Sequence, residues 1–146
     1  MIKLTEAPFD PGALLTEFSK GRTETGAIAT FTGRARAEQG STAILELEAY
    51  PGFTESEIGK IAAEAQERWS LHDLNILHRV GKIAPGDPIV FVATAAGHRR
   101  AAFEACDFLM DYLKSRAPFW KKEHGPDGQR WVEPSLQDHA DRERWG

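Results

Sequence analysis

An α+β fold, with helices packed on a mixed or antiparallel sheet, is what this chain of 146 residues predicts. Three observations lead there. The apolar pattern switches between a period of two and a period of 3.6 in the order β–β–α–β–β–α, which groups strands rather than alternating them one by one with helices. Several of the strands alternate apolar and polar residues, as half-buried antiparallel strands do. No strand leads into a Gly-rich phosphate loop of either common type, so nucleotide hydrolysis and dinucleotide binding are set aside. The length suits one domain, able to bury roughly 68–70% of its unfolded surface.

The elements follow in order. Asp10-Pro11 with Leu14, Leu15 and Phe18, then Gly21, reads as a short capped helix with a glycine stop. Ala27 to Thr32 is a strand ended by Gly33, and Arg34, Ala35 and Arg36 open a polar loop running through Gly40. Thr42 to Tyr50 sets Leu45, Leu47 and Ala49 against Glu46 and Glu48, a half-buried strand, and Pro51-Gly52 turns the chain. Thr54 followed by Glu57 has the spacing of a capping box, with Ile58, Ile61, Ala62, Ala65 and Trp69 as one helical stripe. Leu74, Ile76, His78 and Val80 alternate as a strand, Gly81 and Pro85-Gly86-Asp87 turn, and Ile89 to Ala95 is a more fully buried strand. A long helix should start near His98 or Arg99, with Phe103, Cys106, Met110, Leu113 and Ala117 at helical spacing and Pro118 as its stop. Residues 1–134 are expected to form the domain and 135–146 a polar tail that stays loose unless it docks.

Charge narrows the functional classes. With 18 Lys and Arg against 22 Asp and Glu, the net charge is −4. That weighs against nucleic acid or an anionic membrane as the main partner. The lone Cys106 cannot form an internal disulfide, so a reducing, cytoplasmic setting is expected. The opening residues carry no signal-peptide core, and no apolar run has membrane-spanning length. The histidines at 72, 78, 98, 124 and 139 show no metal-ligand spacing, so no metal or other cofactor is expected. His78 reads as a satisfied core residue and Cys106 as inert packing.

Against this acidic background the run Asp111-Tyr-Leu-Lys-Ser-Arg-Ala-Pro-Phe-Trp-Lys-Lys-Glu123 is distinctive. It sets Lys114, Arg116, Lys121 and Lys122 around Ala117, Pro118, Phe119 and Trp120. Rings that gain roughly 1.5–3 kcal/mol on burial would draw the lysines toward the protein body. The plainer reading is a helix end with an aromatic anchor and solvated lysines. Gly97-His98-Arg99-Arg100 sits at a helix start, where free N–H groups and an arginine fork suit an anion; the plainer reading pairs those arginines with surface carboxylates. Arg34 and Arg36 are a second candidate, or are merely solvated. Lys114 lies roughly 22 Å along the helix from Arg99, so one helix cannot bring both ends to one small ligand; either they form separate sites, or a second copy of the chain brings one end across a dimer interface.

Taken together, Thr30-Phe-Thr-Gly-Arg-Ala-Arg36, Glu48-Ala-Tyr-Pro-Gly52, His78-Arg-Val-Gly81 with Pro85-Gly-Asp87, His98-Arg-Arg-Ala-Ala-Phe103, the Asp111–Glu123 run and Trp131 resemble the large, catalytic subunit of molybdopterin synthase. The resemblance runs in register from about residue 26 to about 133. It implies a hammerhead-type α+β fold, and a homodimer with a small ubiquitin-like sulfur carrier at each far end, a heterotetramer. It further implies that the carrier's Gly-Gly thiocarboxylate gives sulfur twice to cyclic pyranopterin monophosphate, making the dithiolene of molybdopterin. By the same resemblance Lys114 and Lys121 are the catalytic pair. Arg34, Ala35, Arg36, His98, Arg99, Lys114, Lys121, Lys122 and Glu123 would hold the substrate, with His98 and Arg99 supplied by the neighbouring protomer. The alternatives are a non-enzymatic anion- or RNA-binding module using Phe119, Trp120 and Trp131 as stacking rings, and a homologue with a lost carrier or changed substrate.

Overall fold

The computed structural model describes residues 1–37, 44–125, 128–131 and 136–145, with side chains for all of these except 129–131, 136 and 137. The loop expected through Gly40, the strand start at Thr42, the Trp131 ring and the boundary at Pro134 fall outside what is described.

Two four-stranded sheets carry the fold. The first runs β1 (Ile2–Thr5), β4 (Asp73–Arg79), β6 (Pro88–Ala96), β2 (Ala27–Arg34), with β1 parallel to β4 and the other pairs antiparallel. The second runs β5 (Gly81–Ile83), β3 (Ile44–Ala49), β7 (Phe119–Gly125), β8 (Gly128–Trp131) and is antiparallel throughout. The predicted α+β class, with a mixed sheet, is what the chain adopts.

The near-continuous apolar run of β6 has a simple cause: it is covered on both faces. Val90, Val92 and Ala96 join the main core with α2 (Phe53–Trp69) and α3 (Arg99–Ser115). Phe91, Ala93 and Ala95 face the opposite way, against Phe18 of α1 (Pro11–Ser19). Successive side chains of a strand point to opposite faces, so one nine-residue strand serves two cores. The α2 stripe is as expected, with Ile58, Ile61, Ala62 and Ala65 buried.

Four expectations are corrected. Cys106, Met110 and Leu113 of the expected α3 stripe are buried, but Phe103 is 61% exposed and its neighbour Ala102 is buried instead; a single step around a helix turns a side chain by about 100°. Thr54 does not cap α2. Gly52 holds that place, at φ 79°, where a side chain would be strained. The chain after Gly81 is a short strand rather than only a turn, and Phe119–Gly125 is a strand that the charged run concealed. The last segment forms α4 (Leu136–Glu143), which packs on α3 and so meets the condition under which a polar tail becomes ordered.

Among the described residues, no helix is long and apolar enough to cross a membrane.

Candidate active site at the α3–β7 junction

Pro118 has no N–H and cannot continue a helix, and the chain reverses there. Arg116 N and Ala117 N both donate to Tyr112 O, at 2.7 and 3.2 Å, and Phe119 N donates to Ala117 O at 3.0 Å. The reversal is pinned from α2. Thr54 Oγ1 accepts from Tyr50 N at 2.8 Å and donates to Pro118 O at 2.7 Å. The fully buried Thr54 hydroxyl thus ties the entry of α2 to the turn that launches β7.

Strand alternation then sorts the basic run. β7 pairs with β3 in the register Phe119↔Ala49, Lys121↔Leu47 and Glu123↔Leu45, so these three share the face of the small core formed by Ala35, Leu47 and Ile83. Trp120, Lys122 and His124 are on the other face, opposite Glu48, Glu46 and Ile44. There His124 Nε2 meets Glu46 Oε1 at 2.7 Å. That hydrogen bond, aided by the charges of His124, Lys82 and Lys122, holds the Glu46 carboxyl below its ordinary range. The expectation that both rings leave water holds only for one of them. Phe119 stacks on His78 at 4.2 Å, whereas Trp120 is 49% exposed and lies 5.9 Å from Tyr50. Lys121 and Glu123 therefore share a face that Lys122 does not. Arg116 also turns away, its guanidinium 3.7 Å from Glu57 and 4.0 Å from Glu64 on α2.

Lys114, in the last turn of α3, decides the electrostatics. Sequence leaves two opposed effects there: a helix C-terminus that favours the ammonium, and desolvation with neighbouring cations that disfavours it. The second prevails. The side chain as a whole is exposed, but the protein gathered around its ammonium end desolvates it and pulls the pKa down. The charge of Lys121 adds to that, and Asp138 opposes it. Exposure of the stem and desolvation of the charge coexist, because the ammonium sits at the tip of a long side chain and feels the low-dielectric body beside it.

His78 is buried, and burial pushes its pKa down to about 4, with the charge of Lys114 acting in the same direction. Its Nδ1 lies 2.8 Å from Arg79 O, and a carbonyl can only accept, so the neutral ring carries its proton at Nδ1. Burial raises the Cys106 thiol to about 12, which leaves it inert as expected.

The remaining expected residues lie apart from this pair. Arg34 donates from Nε and Nη2 to Gly86 O, at 3.0 and 2.9 Å, and so braces the Pro85-Gly86-Asp87 turn. Ala35 is buried, its N donating to Asp87 O at 2.9 Å. Exposed Arg36 continues this segment, and an open depression is lined by residues 34–37 with Pro85 and Gly86. Ala35 packs in the same small core as Leu47, the register partner of Lys121, which ties this segment to the lysine face from behind. His98 and Arg99 stand exposed at the opposite end of α3. A backbone approach fixes that end: a Cβ on Gly26 would sit 2.1 Å from Gly97 O, so only glycine fits where β2 meets the start of α3. Two contributors were missed by sequence reasoning. His78 was read only as core, although its strand alternation already aimed it inward; Asp138 gave no local signal at all. Among the described residues, no group of three or more His, Cys, Asp or Glu is arranged to hold a metal ion.

Fold and site define an α+β domain with a crowded, cationic lysine site where a helix hands over to a strand. The sequence profile of the MoaE protein family matches residues 4–116, and the chain belongs to that family. It is 65% identical over 145 residues to the molybdopterin synthase catalytic subunit of Caulobacter vibrioides, covering 99% of this chain and 97% of that one. The solved structure of the molybdopterin biosynthesis MoaE protein from Burkholderia ambifaria superposes with a TM-score of 0.85 at 48% identity, covering 100% of this chain and 97% of that one. A complex of subunits 1 and 2 of molybdopterin-converting factor from Helicobacter pylori has the same fold, with a TM-score of 0.77 at 20% identity, over 90% of this chain and 89% of that one.

Proposed function

We propose that this chain is the sulfur-transferring subunit of a molybdopterin synthase, acting on cyclic pyranopterin monophosphate with a thiocarboxylated small carrier as donor. Family membership gives the reaction class, and the observation that carries the site is Lys114, crowded and pulled down in pKa beside Lys121. The donor and the cyclic phosphate are both anions, so a cationic site on an acidic protein suits them. Lys121 adds its positive charge beside Lys114. Lys114, drawn toward neutrality, exchanges protons during attack on the precursor and opening of its cyclic phosphate. The carrier's sulfur forms the new C–S bond, its C–S bond to the acyl group breaks, and water leaves the carrier with an ordinary carboxylate. Glu123, on the same face as Lys121, orients the substrate. Arg36 and Arg99 hold phosphate, Arg34 and Ala35 shape the segment that presents Arg36, and His98 presents Arg99.

Lys122 faces Glu46 and is given only an outer, electrostatic part. The small subunit is proposed by analogy with the two-subunit Helicobacter pylori complex, with its Gly-Gly end reaching Lys114 and Lys121. The working unit is a homodimer carrying two carriers, in the cytoplasm. RNA binding is not favoured, because Phe119 and Trp120 lie on opposite faces of β7 and form no common stacking platform. Purified chain, thiocarboxylated carrier and precursor should together yield the dithiolene. A folded chain that binds the carrier and makes none would overturn the proposal.

A further inference from the structure

We propose that α4 is a counter-charge arm of the lysine site, docked on α3 so as to position Asp138 at Lys114 and govern when that lysine holds its proton. The docking is built from specific contacts. Arg144 Nη2 reaches Asp107 Oδ2 at 2.7 Å and Asp111 Oδ2 at 2.8 Å, and Trp145 Nε1 donates to the same Asp111 oxygen at 2.5 Å. The Trp145 ring stands edge-on to Trp69 and to Phe108, 5.7 Å from each. Arg68 Nη1 donates to Trp145 O at 3.1 Å, so α2 and α3 both grip the arm. Asp111 is only 9% exposed, and a buried carboxylate needs donors. Here they come from Arg144 and Trp145, beyond α4.

This arrangement changes which acid serves Lys114. Asp111 precedes it by three residues on the same helix and would be the ordinary ion-pair partner. Its Oδ2 is already engaged with Arg144 and Trp145. Among the described residues, the charges that act on Lys114 from other elements are those of Lys121 on β7 and Asp138 on α4, and the ring that Lys114 acts on in turn is His78 on β4. His78 is neutral at neutral pH, Lys121 opposes the ammonium, and Asp138 favours it. Asp138 is therefore a positioning residue for the proton, present at the site only while the arm is docked.

The titration of Lys114 can be read without any assay of activity. Competitive acetylation of the full-length chain with acetic anhydride, between about pH 7 and 11, followed by peptide mass spectrometry, gives the midpoint of each amine. Asp138→Asn should lower the Lys114 midpoint, because the opposite charge that favours the ammonium is gone. Asp138→Glu should restore it. Protection of Arg142 and Arg144 from trypsin reports docking in Asp138→Asn. A lowered midpoint with protection intact supports the charge assignment; a midpoint unmoved, or moved only when protection is lost, overturns it. The consequence for catalysis rests on Lys114 being the reactive lysine. A shifted midpoint with an unshifted pH–rate profile for sulfur transfer would sustain the arm and sink that reading of Lys114.

Discussion

At the scale of single residues, the division of β7 into two faces is the sharpest lever. Lys121 and Lys122 are adjacent and chemically identical, yet pair with Leu47 and Glu46 on opposite faces. Lys114→Ala and Lys121→Ala should each lower sulfur transfer by two orders of magnitude or so, the scale of a lost acid–base group. Lys122→Ala should keep most of the activity, as measured by the rate of dithiolene formation at saturating carrier. Equal losses in Lys121→Ala and Lys122→Ala would show that the face does not matter. His78 supports a second test. Its folded pKa, about 4, lies below the ordinary 6.5, so the unfolded chain binds the extra proton first as pH falls. Stability should be full above about pH 6.5 and decline down to about 4, by up to about 3 kcal/mol from this residue. Carboxylates held low, such as Glu46 and Asp73, are lost only at lower pH still. Urea unfolding at pH 7 and about pH 4.5 should show the decline in the native protein. In His78→Gln it should be visibly flatter.

At the scale of elements, what was legible in the sequence was what repeats. The α2 stripe, the doubly covered β6 and the stop at Pro118 announced themselves because periodicity over many residues averages out local accidents. β7 did not: a strand whose inner face carries Phe119, Lys121 and Glu123 has no apolar alternation to read. β5, at three residues, was too short to show a period. The Thr54–Glu57 spacing resembled a capping box because spacing alone cannot tell whether a hydroxyl faces its own helix or another element. Here it bridges Tyr50 N and Pro118 O. Thr54→Val, nearly the same shape, would leave that N–H in the interior without its acceptor and should cost about 1–3 kcal/mol in urea unfolding. Because the bridge sets where β7 begins, sulfur transfer should fall as well in protein that remains folded. Native activity together with native stability would mean the bridge positions nothing.

At the scale of the whole molecule, the distribution of basic residues poses a geometric problem that one chain does not solve. The Asp111–Glu123 run stands out in the sequence as a candidate because the rings, the proline and the lysines are close together along the chain. Whether Arg99 joins them is not local information. α3 runs as one uninterrupted helix from Arg99 to Ser115, which keeps Arg99 and Lys114 roughly 22 Å apart. If both serve one small substrate, as proposed, a second protomer must bring its own Arg99 to the first protomer's Lys114. Complementation tests this directly. A Lys114→Ala chain and an Arg99→Ala chain should each be nearly inactive as homodimers; the two are mixed and allowed to exchange subunits. In a mixed dimer with shared sites, one site combines both lesions and the other combines neither. Activity should return to about a quarter of the native level per protein chain, since about half the dimers are mixed and each has one intact site of two. Sites built within one chain would give no recovery, because every site would keep one lesion whatever its neighbour. Exchange must be shown independently, for instance by mass spectrometry of differently tagged chains. With exchange shown and no activity regained, Arg99 would have to be removed from the site that contains Lys114.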